Sequence, residues 1–327
     1  MTEPLVTCAG IAVCDVLART VRHPLPVGYL ALVDEVAMAE GGSALRTARA
    51  VASMGIGTRL VAAIGPDPFG EFLRSSVSAP DLTVDWVVAR STTSSSVILV
   101  GDAGDRTILH NIGADAFLTA DAVRAALVGR VLHIGGALVL PGLDGEPLAA
   151  LFRDARRAGI INSLDVVYDP TGRWNSVLPA LAYTALFCPS RAEAEAITGR
   201  AAPEDSSAAL RDLGARVVMV TNGADGCYVN SDGWQGHVPA YSVATVDTTG
   251  AGDAFAAGAI VGLLAGLPPE QIALTASAMG ALATTTIGTF SGTSRPADIW
   301  TMTGLSEPLG FRQVQMPANR NETRGGA

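Results

Sequence analysis

Two glycines and two aspartates fall within nine residues of this sequence, Asp247-Thr-Thr-Gly-Ala-Gly-Asp253-Ala-Phe. The stretch follows an apolar-alternating run over residues 238–246 and precedes an Ala/Leu-rich pattern over residues 254–267. Strand, glycine turn and helix start therefore arrive in the order an anion site needs. Gly250 and Gly252 allow positive φ and close approach of the backbone to an anion. The N–H groups of the first helical turn, with Ala251 among them, lack partners inside the helix and lie at the positive end of its dipole. An acid in that ring of donors, Asp253, can take the proton of an attacking hydroxyl while the donors hold charge developing on a transferred phosphoryl group. The competing reading is an N-cap aspartate after a glycine turn.

Such a turn needs a sheet to hold it. Residues 5–13 and 58–64 read as strands, with a helix over 44–54 that ends at Gly55. Residues 131–134, 160–164, 185–188 and 217–221 read as buried strands, and 146–158, 191–198 and 206–213 as the helices among them. This alternation predicts an α/β fold with a mostly parallel central sheet covered on both faces, its ligands beyond the C-terminal strand ends. Segments 13–40 and 84–112 break the alternation with short strands and polar turns, as a small β lid or as surface hairpins. The domain is expected to span residues 1–304, with 305–327 as a frayed polar tail.

Composition narrows the function. The 327 residues are 49% hydrophobic and 16% charged, enough for a large core, which excludes a disordered chain. The net charge is −9 and every basic residue is arginine, so a lysine Schiff base or phosphate-loop lysine is excluded. Net acidity with dispersed arginines argues against nucleic acid or an anionic membrane as partner. Cys8, Cys14, Cys188 and Cys227 have no metal or redox spacing and read as buried apolar residues of a reducing compartment. No signal-peptide pattern opens the chain, and the longest apolar stretch, residues 254–267, is shorter than the ~20 residues a membrane span requires. A cytoplasmic protein is expected. A dinucleotide fingerprint is rejected, because Gly55-Ile-Gly57 follows a helix and has no third glycine.

With these segments set out, the chain resembles the ribokinase-like (PfkB) carbohydrate kinases over roughly residues 5–300. The Asp247 to Phe255 string looks like their C-terminal signature, and Gly41-Gly42 like their diglycine motif. Gly65-Pro-Asp-Pro-Phe-Gly70, Asn111-Ile-Gly-Ala-Asp115, Pro189-Ser-Arg-Ala-Glu193 and Thr221-Asn-Gly-Ala-Asp-Gly226 resemble four further segments in the same order. The resemblance implies a ribokinase-like three-layer fold with a small β lid. It implies an ATP- and Mg²⁺-dependent kinase acting on a hydroxyl, of the primary CH₂OH kind, in a sugar or sugar-like small molecule. Asp253 would be the base, and Gly250, Ala251 and Gly252 the anion hole. Asp15, Gly41, Gly42 and Arg46 would face the acceptor, and Ser190, Thr221, Gly223, Gly226 and Thr248 the nucleotide. Glu193 would orient Mg²⁺ through water, although alone it reads as a surface helix glutamate. Asp247 and Thr249 fall where such kinases bind K⁺, and a strand-end aspartate explains Asp247 equally well. Exposed lid edges pair between subunits, so a homodimer is expected.

Four positions depart from that pattern. Arg46 stands where the family has an asparagine that contacts sugar, Val13 where an asparagine is common, Asp165-Val-Val-Tyr-Asp169 lacks an asparagine and an arginine, and Ser190 replaces an asparagine. Three readings follow. The first is an active kinase with an unusual acceptor, Arg46 offering five donors to a carboxylate or phosphate and Val13 an apolar face. The second is an inactive member that binds a ligand or regulates. In the third, Arg46 turns away to a neighbour such as Glu40 and the acceptor is a neutral sugar. Sugar, nucleoside, sugar acid and cyclitol all stay open.

Overall fold

The computed structural model describes residues 4–21, 25, 27–28, 30–101, 106–286 and 295–308. Its strands are β1 (Val6–Gly10), β2 (Val13–Arg19), β3 (Glu35–Gly41), β4 (Thr58–Ile64), β5 (Leu82–Val88), β6 (Ser95–Val100) and β7 (Arg106–Asn111). They continue with β8 (Val131–Ala137), β9 (Ile161–Val166), β10 (Leu186–Phe187), β11 (Val217–Thr221), β12 (Cys227–Ser231) and β13 (Trp234–Val238). The helices are α1 (Ser43–Ser53), α2 (Pro68–Ser76), α3 (Ala120–Ala126), α4 (Glu146–Arg157) and α5 (Leu178–Leu181). After them come α6 (Arg191–Thr198), α7 (Pro203–Asp212), α8 (Ala251–Leu264), α9 (Pro269–Ala283) and α10 (Pro296–Thr303).

A nine-stranded sheet runs in the order β13-β12-β11-β10-β9-β8-β1-β4-β5. It is parallel from β11 to β5 and closes with the antiparallel β12 and β13. Alternation along the buried strands feeds two cores, as expected of a sheet covered on both faces. Val6 and Cys8 pack with residues of α1, α8 and α9, while Ala9 and Ile134 pack with those of α4 and α7. The fold is therefore α/β in three layers. Helix α8 is apolar all round and buried from Ala254 to Leu264. Gly258 lets it touch α9, since a Cβ there would lie 2.7 Å from the Cα of Ala276.

The lid is a second sheet, β3-β2-β6-β7. Three expectations are corrected here. Residues 5–13 are not one strand: β1 ends at Gly10, where φ is +141° and a Cβ would meet the Gly135 carbonyl oxygen at 1.9 Å, and the chain leaves for the lid sheet at Val13. Residues 82–88 are not lid; they pair in parallel with β4 as the edge of the large sheet, so the second lid segment starts at Ser95. The run over 238–246 is not a strand beyond Val238, because Pro239 has no N–H to continue the ladder. The four cysteines are free and buried, as expected. No helix among the described residues is long and apolar enough to cross a membrane. The expected tail from residue 309 onward lies outside the described residues.

Candidate active site

Helix α8 begins at the glycine turn. Gly250 is its N-cap at φ +78°, which places Ala251, Gly252 and Asp253 in its first turn. Asp253 is thus not the N-cap aspartate of the local reading: its side chain turns toward α1 and bonds no backbone N–H of its own turn. Its Oδ1 accepts a 2.7 Å hydrogen bond from Ser43 Oγ, and its backbone oxygen accepts one from Thr47. Burial pushes the Asp253 carboxyl above its ordinary range, opposed by the charge of Arg46 and by the Ser43 hydroxyl.

The diglycine turn sets the other wall. A Cβ on Gly41 would fall 2.2 Å from Oδ2 of Asp15, so only glycine leaves room for that carboxylate. Gly42, at φ +101°, caps α1, and a Cβ there would strike the Ile11 carbonyl oxygen. Asp15 sits in β2 opposite Ser96 of β6, whose hydroxyl meets Nδ1 of His110 on β7. Arg46 lies between the two aspartates, its Nη2 2.9 Å from Asp15 Oδ2 and its Nη1 3.7 Å from Asp253 Oδ2. It does not turn away to Glu40, which pairs with Arg49 instead. Its Nε is buried without a hydrogen-bond partner, on the Gly250 side of the guanidinium.

Behind this wall, Oδ2 of Asp165, near the end of β9, lies 2.6 Å from the same Ser43 hydroxyl. Burial first, then the charges of Asp253 and Glu193, push the Asp165 carboxyl well up. Glu193 is not an exposed helix residue. It forms a capping box with Ser190 at the start of α6, and burial raises its carboxyl too. Among the described residues no three acidic, histidine or cysteine side chains converge to hold a metal ion directly, so a cation here would meet Glu193 through water.

On the far side of the first turn of α8 lies a cavity of about 530 Å³. Thr221, Gly223, Gly226, Thr248, Ala251 and Gly252 all line it. Gly252 and Gly223 have nothing within 4 Å of where a Cβ would be, so their backbone is bare toward the cavity. Both positions fit a bound polyphosphate. Ser190 does not line the cavity; it stands one step back, bridged to Thr221.

Sequence reasoning missed Ser43 and Asp165 as a linked pair, and the α9 face of the cavity. Ser277, Gly280, Ala281 and Thr284 line it at helical spacing, a stripe of small residues that was visible in the sequence. The Gly65 to Gly70 segment supports the lid without touching the cavity. Asp67 caps α2 and holds Thr93, just before β6, through its backbone N–H and hydroxyl. Asp169 is likewise structural, closing a turn onto Thr171 and Arg173.

Residues 3–296 match the pfkB family carbohydrate kinase sequence model. The chain belongs to this family. Among relatives of this PfkB kinase is a fructokinase from Klebsiella pneumoniae, 32% identical over 272 residues, covering 76% of this chain and 86% of that one. A ribokinase from Mus musculus is 27% identical, covering 80% and 82% of the two chains. The fold matches that of Arabidopsis thaliana ribokinase, solved with ribose and ATP, at a TM-score of 0.78 and 21% identity, over 94% of this chain and all of that one. The kinase is thus a sugar kinase of the ribokinase fold.

Proposed function

We propose that this kinase transfers the γ-phosphoryl group of ATP to a hydroxyl, of the primary CH₂OH kind, on a neutral sugar or polyol. The observation that carries the reading is the first turn of α8, which serves both sides of the site. Its Gly252 backbone is bare toward the cavity of about 530 Å³, while its Asp253 joins Asp15 through Arg46. ATP would lie in that cavity with its terminal phosphate at the N–H groups of the turn. Asp15 would grip acceptor hydroxyls and so orient one toward the phosphate. The attacking hydroxyl would pass its proton to Asp253 as its oxygen bonds to phosphorus, and the bond from phosphorus to the β–γ bridging oxygen would break to leave ADP. When bound, Mg²⁺ supplies charge neutralisation on the phosphates, and Glu193 would hold it through water.

Arg46 favours a neutral acceptor over an anionic one. Its Nη groups already serve two carboxylates, so an acid group on the acceptor would have to displace Asp15. The free Nε instead lies beside Gly250, where it can donate to the transferred phosphoryl group. The lid sheet would close over the acceptor and exclude water. On its outer face Met38, Val16, Val97 and Leu109 form one cross-strand row, with Met38, Val97 and Leu109 exposed. A second copy of the chain would cover that row as a homodimer.

The test is ATP consumption with Mg²⁺ against neutral sugars, polyols, nucleosides, sugar acids, sugar phosphates and cyclitols, with Asp253→Asn as blank. Turnover on neutral hydroxylated compounds, absent in the blank, supports the reading. Turnover confined to the acids or phosphates refutes the neutral acceptor, and turnover by the blank refutes the base.

A further inference from the structure

Among the described residues, Arg106 links the lid to the segment leading into α8. Arg106 begins β7, and alternation puts it on the same face as Ile108 and His110, the face that carries Asp15 and Ser96. Its Nη2 bonds Oδ1 of Asp247 and its Nη1 bonds Oγ1 of Thr249. The same Asp247 oxygen also accepts the Thr249 backbone N–H at 2.9 Å and the Thr249 hydroxyl at 2.7 Å. Asp247 is anchored in turn, since its backbone N–H donates to the Thr284 carbonyl oxygen. Lid, aspartate and the base of the Gly250 turn are thus one hydrogen-bonded unit.

Asp247 and Thr249 are the two residues that the family resemblance would give to K⁺, and they do not fit that ion here. A K⁺ ion needs oxygen lone pairs turned toward it, whereas Asp247 Oδ1 already accepts three hydrogen bonds, one of them from the guanidinium, and Thr249 Oγ1 accepts the other guanidinium N–H. Both groups carry a single positive charge, so exchanging one for the other would add no neutralisation. It would break two hydrogen bonds from a guanidinium, one of them to a carboxylate.

We infer that Arg106 of the lid supplies, from within the chain, the monovalent positive charge beside the anion hole, so that this kinase works without K⁺. The consequence is a coupling that a free ion cannot provide. The charge is in place only while the lid sheet lies over the site, so closure over the acceptor and completion of the anion-hole segment are one event. The inference rests on the kinase reading for its activity arm, and a binding arm stands apart from it.

The activity arm compares turnover in K⁺, Na⁺ and tetramethylammonium at constant ionic strength, for the native chain, Arg106→Gln and Arg106→Lys. The native chain and Arg106→Lys should show equal rates in all three salts. Arg106→Gln should lose about tenfold or more, the scale of one lost charge-assisted contact, and should recover part of it in K⁺ alone. The binding arm uses Tl⁺ as a K⁺ probe, read by thallium NMR without any substrate. The native chain should bind none at this site, and Arg106→Gln should gain a site that K⁺ competes for and Asp247→Asn abolishes. Native activation by K⁺, or Tl⁺ binding by the native chain that Asp247→Asn removes, overturns the inference. So does an Arg106→Gln chain that melts like the native protein yet neither binds Tl⁺ nor changes its rate. If no acceptor is turned over at all, the kinase reading fails and the Tl⁺ arm alone decides.

Discussion

Replacing Arg46 by asparagine, the residue the family resemblance leads one to expect there, should make the base harder to ionise. The Nη1 group stands 3.7 Å from Oδ2 of Asp253, inside a wall where that carboxyl is already pushed up by burial. A unit charge pair at that distance is worth about 1 kcal/mol at the dielectric of water and about 4.5 kcal/mol at an effective value of 20. Losing the cation favours the protonated acid, so the Asp253 carboxyl is pushed up further. A general base must be ionised to act, so the acid limb of the kcat/KM profile should move up in pH. Between the native limb and the shifted one the variant should fall about tenfold further behind the native enzyme for each pH unit, and below both limbs the ratio should stay constant. Above both, the two should converge, save for the contribution of Nε to the phosphoryl group. The assay is coupled ADP release from pH 5 to 9.5 on whichever acceptor the panel identifies, with Arg46→Lys as the charge-retaining control. An acid limb that stays where it was in Arg46→Asn would refute the ion pair as a determinant of Asp253. A limb that moves down would refute the sign of the argument.

Asp253→Asn should lower kcat by ~10²-fold or more while ATP binding, read by calorimetry, is retained. Gly252→Ala meets nothing within 4 Å, so its melting temperature should hold while kcat/KM for ATP drops about tenfold or more, because the new methyl enters the phosphate cradle. Gly41→Ala places a methyl 2.2 Å from the Asp15 carboxylate, so KM for the acceptor should rise with ATP binding unchanged; steady-state kinetics in both substrates separate the two cases. Val97→Asp with Leu109→Asp should yield a monomer of native fold if the outer lid face joins two copies, as light scattering would show.

The glycine turn was legible because its conformation is local. Positive φ at Gly250, Gly223 and Gly226 and a helix start at Ala251 are properties of a few consecutive residues. The five residues Thr221, Gly223, Gly226, Thr248 and Gly252 then met in one cavity. The large sheet was legible for the same reason, its buried strands being short continuous apolar runs. What stayed hidden depends on contacts distant in sequence. Ser43 reaches Asp165 across 122 positions and Asp253 across 210, and no local pattern announces such a bridge. Residues 82–88 look like the lid strands they precede, and only pairing with β4 assigns them to the other sheet. The alternation after Val238 misled because Pro239 ends the ladder, and residues 240–243 then line the cavity one after another rather than on alternate faces.

The bridge at Ser43 also fixes a proton. One hydroxyl carries one hydrogen, yet Ser43 Oγ lies 2.6 Å from Asp165 Oδ2 and 2.7 Å from Asp253 Oδ1. It can donate to one of them only, so the other close contact needs a proton on the acid. Asp165 is the acid that holds it: burial and the charges of Asp253 and Glu193 all push its carboxyl up, whereas the charge of Arg46 works against burial at Asp253. The chain then runs from the Asp165 acid to Ser43 and from Ser43 to an ionised Asp253, the form in which Asp253 can accept a proton. Linkage makes this measurable. The folded pKa of Asp165 lies above the unfolded value of ~3.9, so over the range between them the folded state binds the extra proton and stability falls as pH rises, by about 1.4 kcal/mol per pH unit. Asp165→Asn keeps a donor toward Ser43 and removes that titration. In urea melts with a chelator present, the variant should therefore gain on the native protein steadily as pH climbs from 4 toward neutrality. Parallel stability profiles for the two would show that Asp165 is already ionised in the folded chain, and the proton would have to be assigned elsewhere in the bridge.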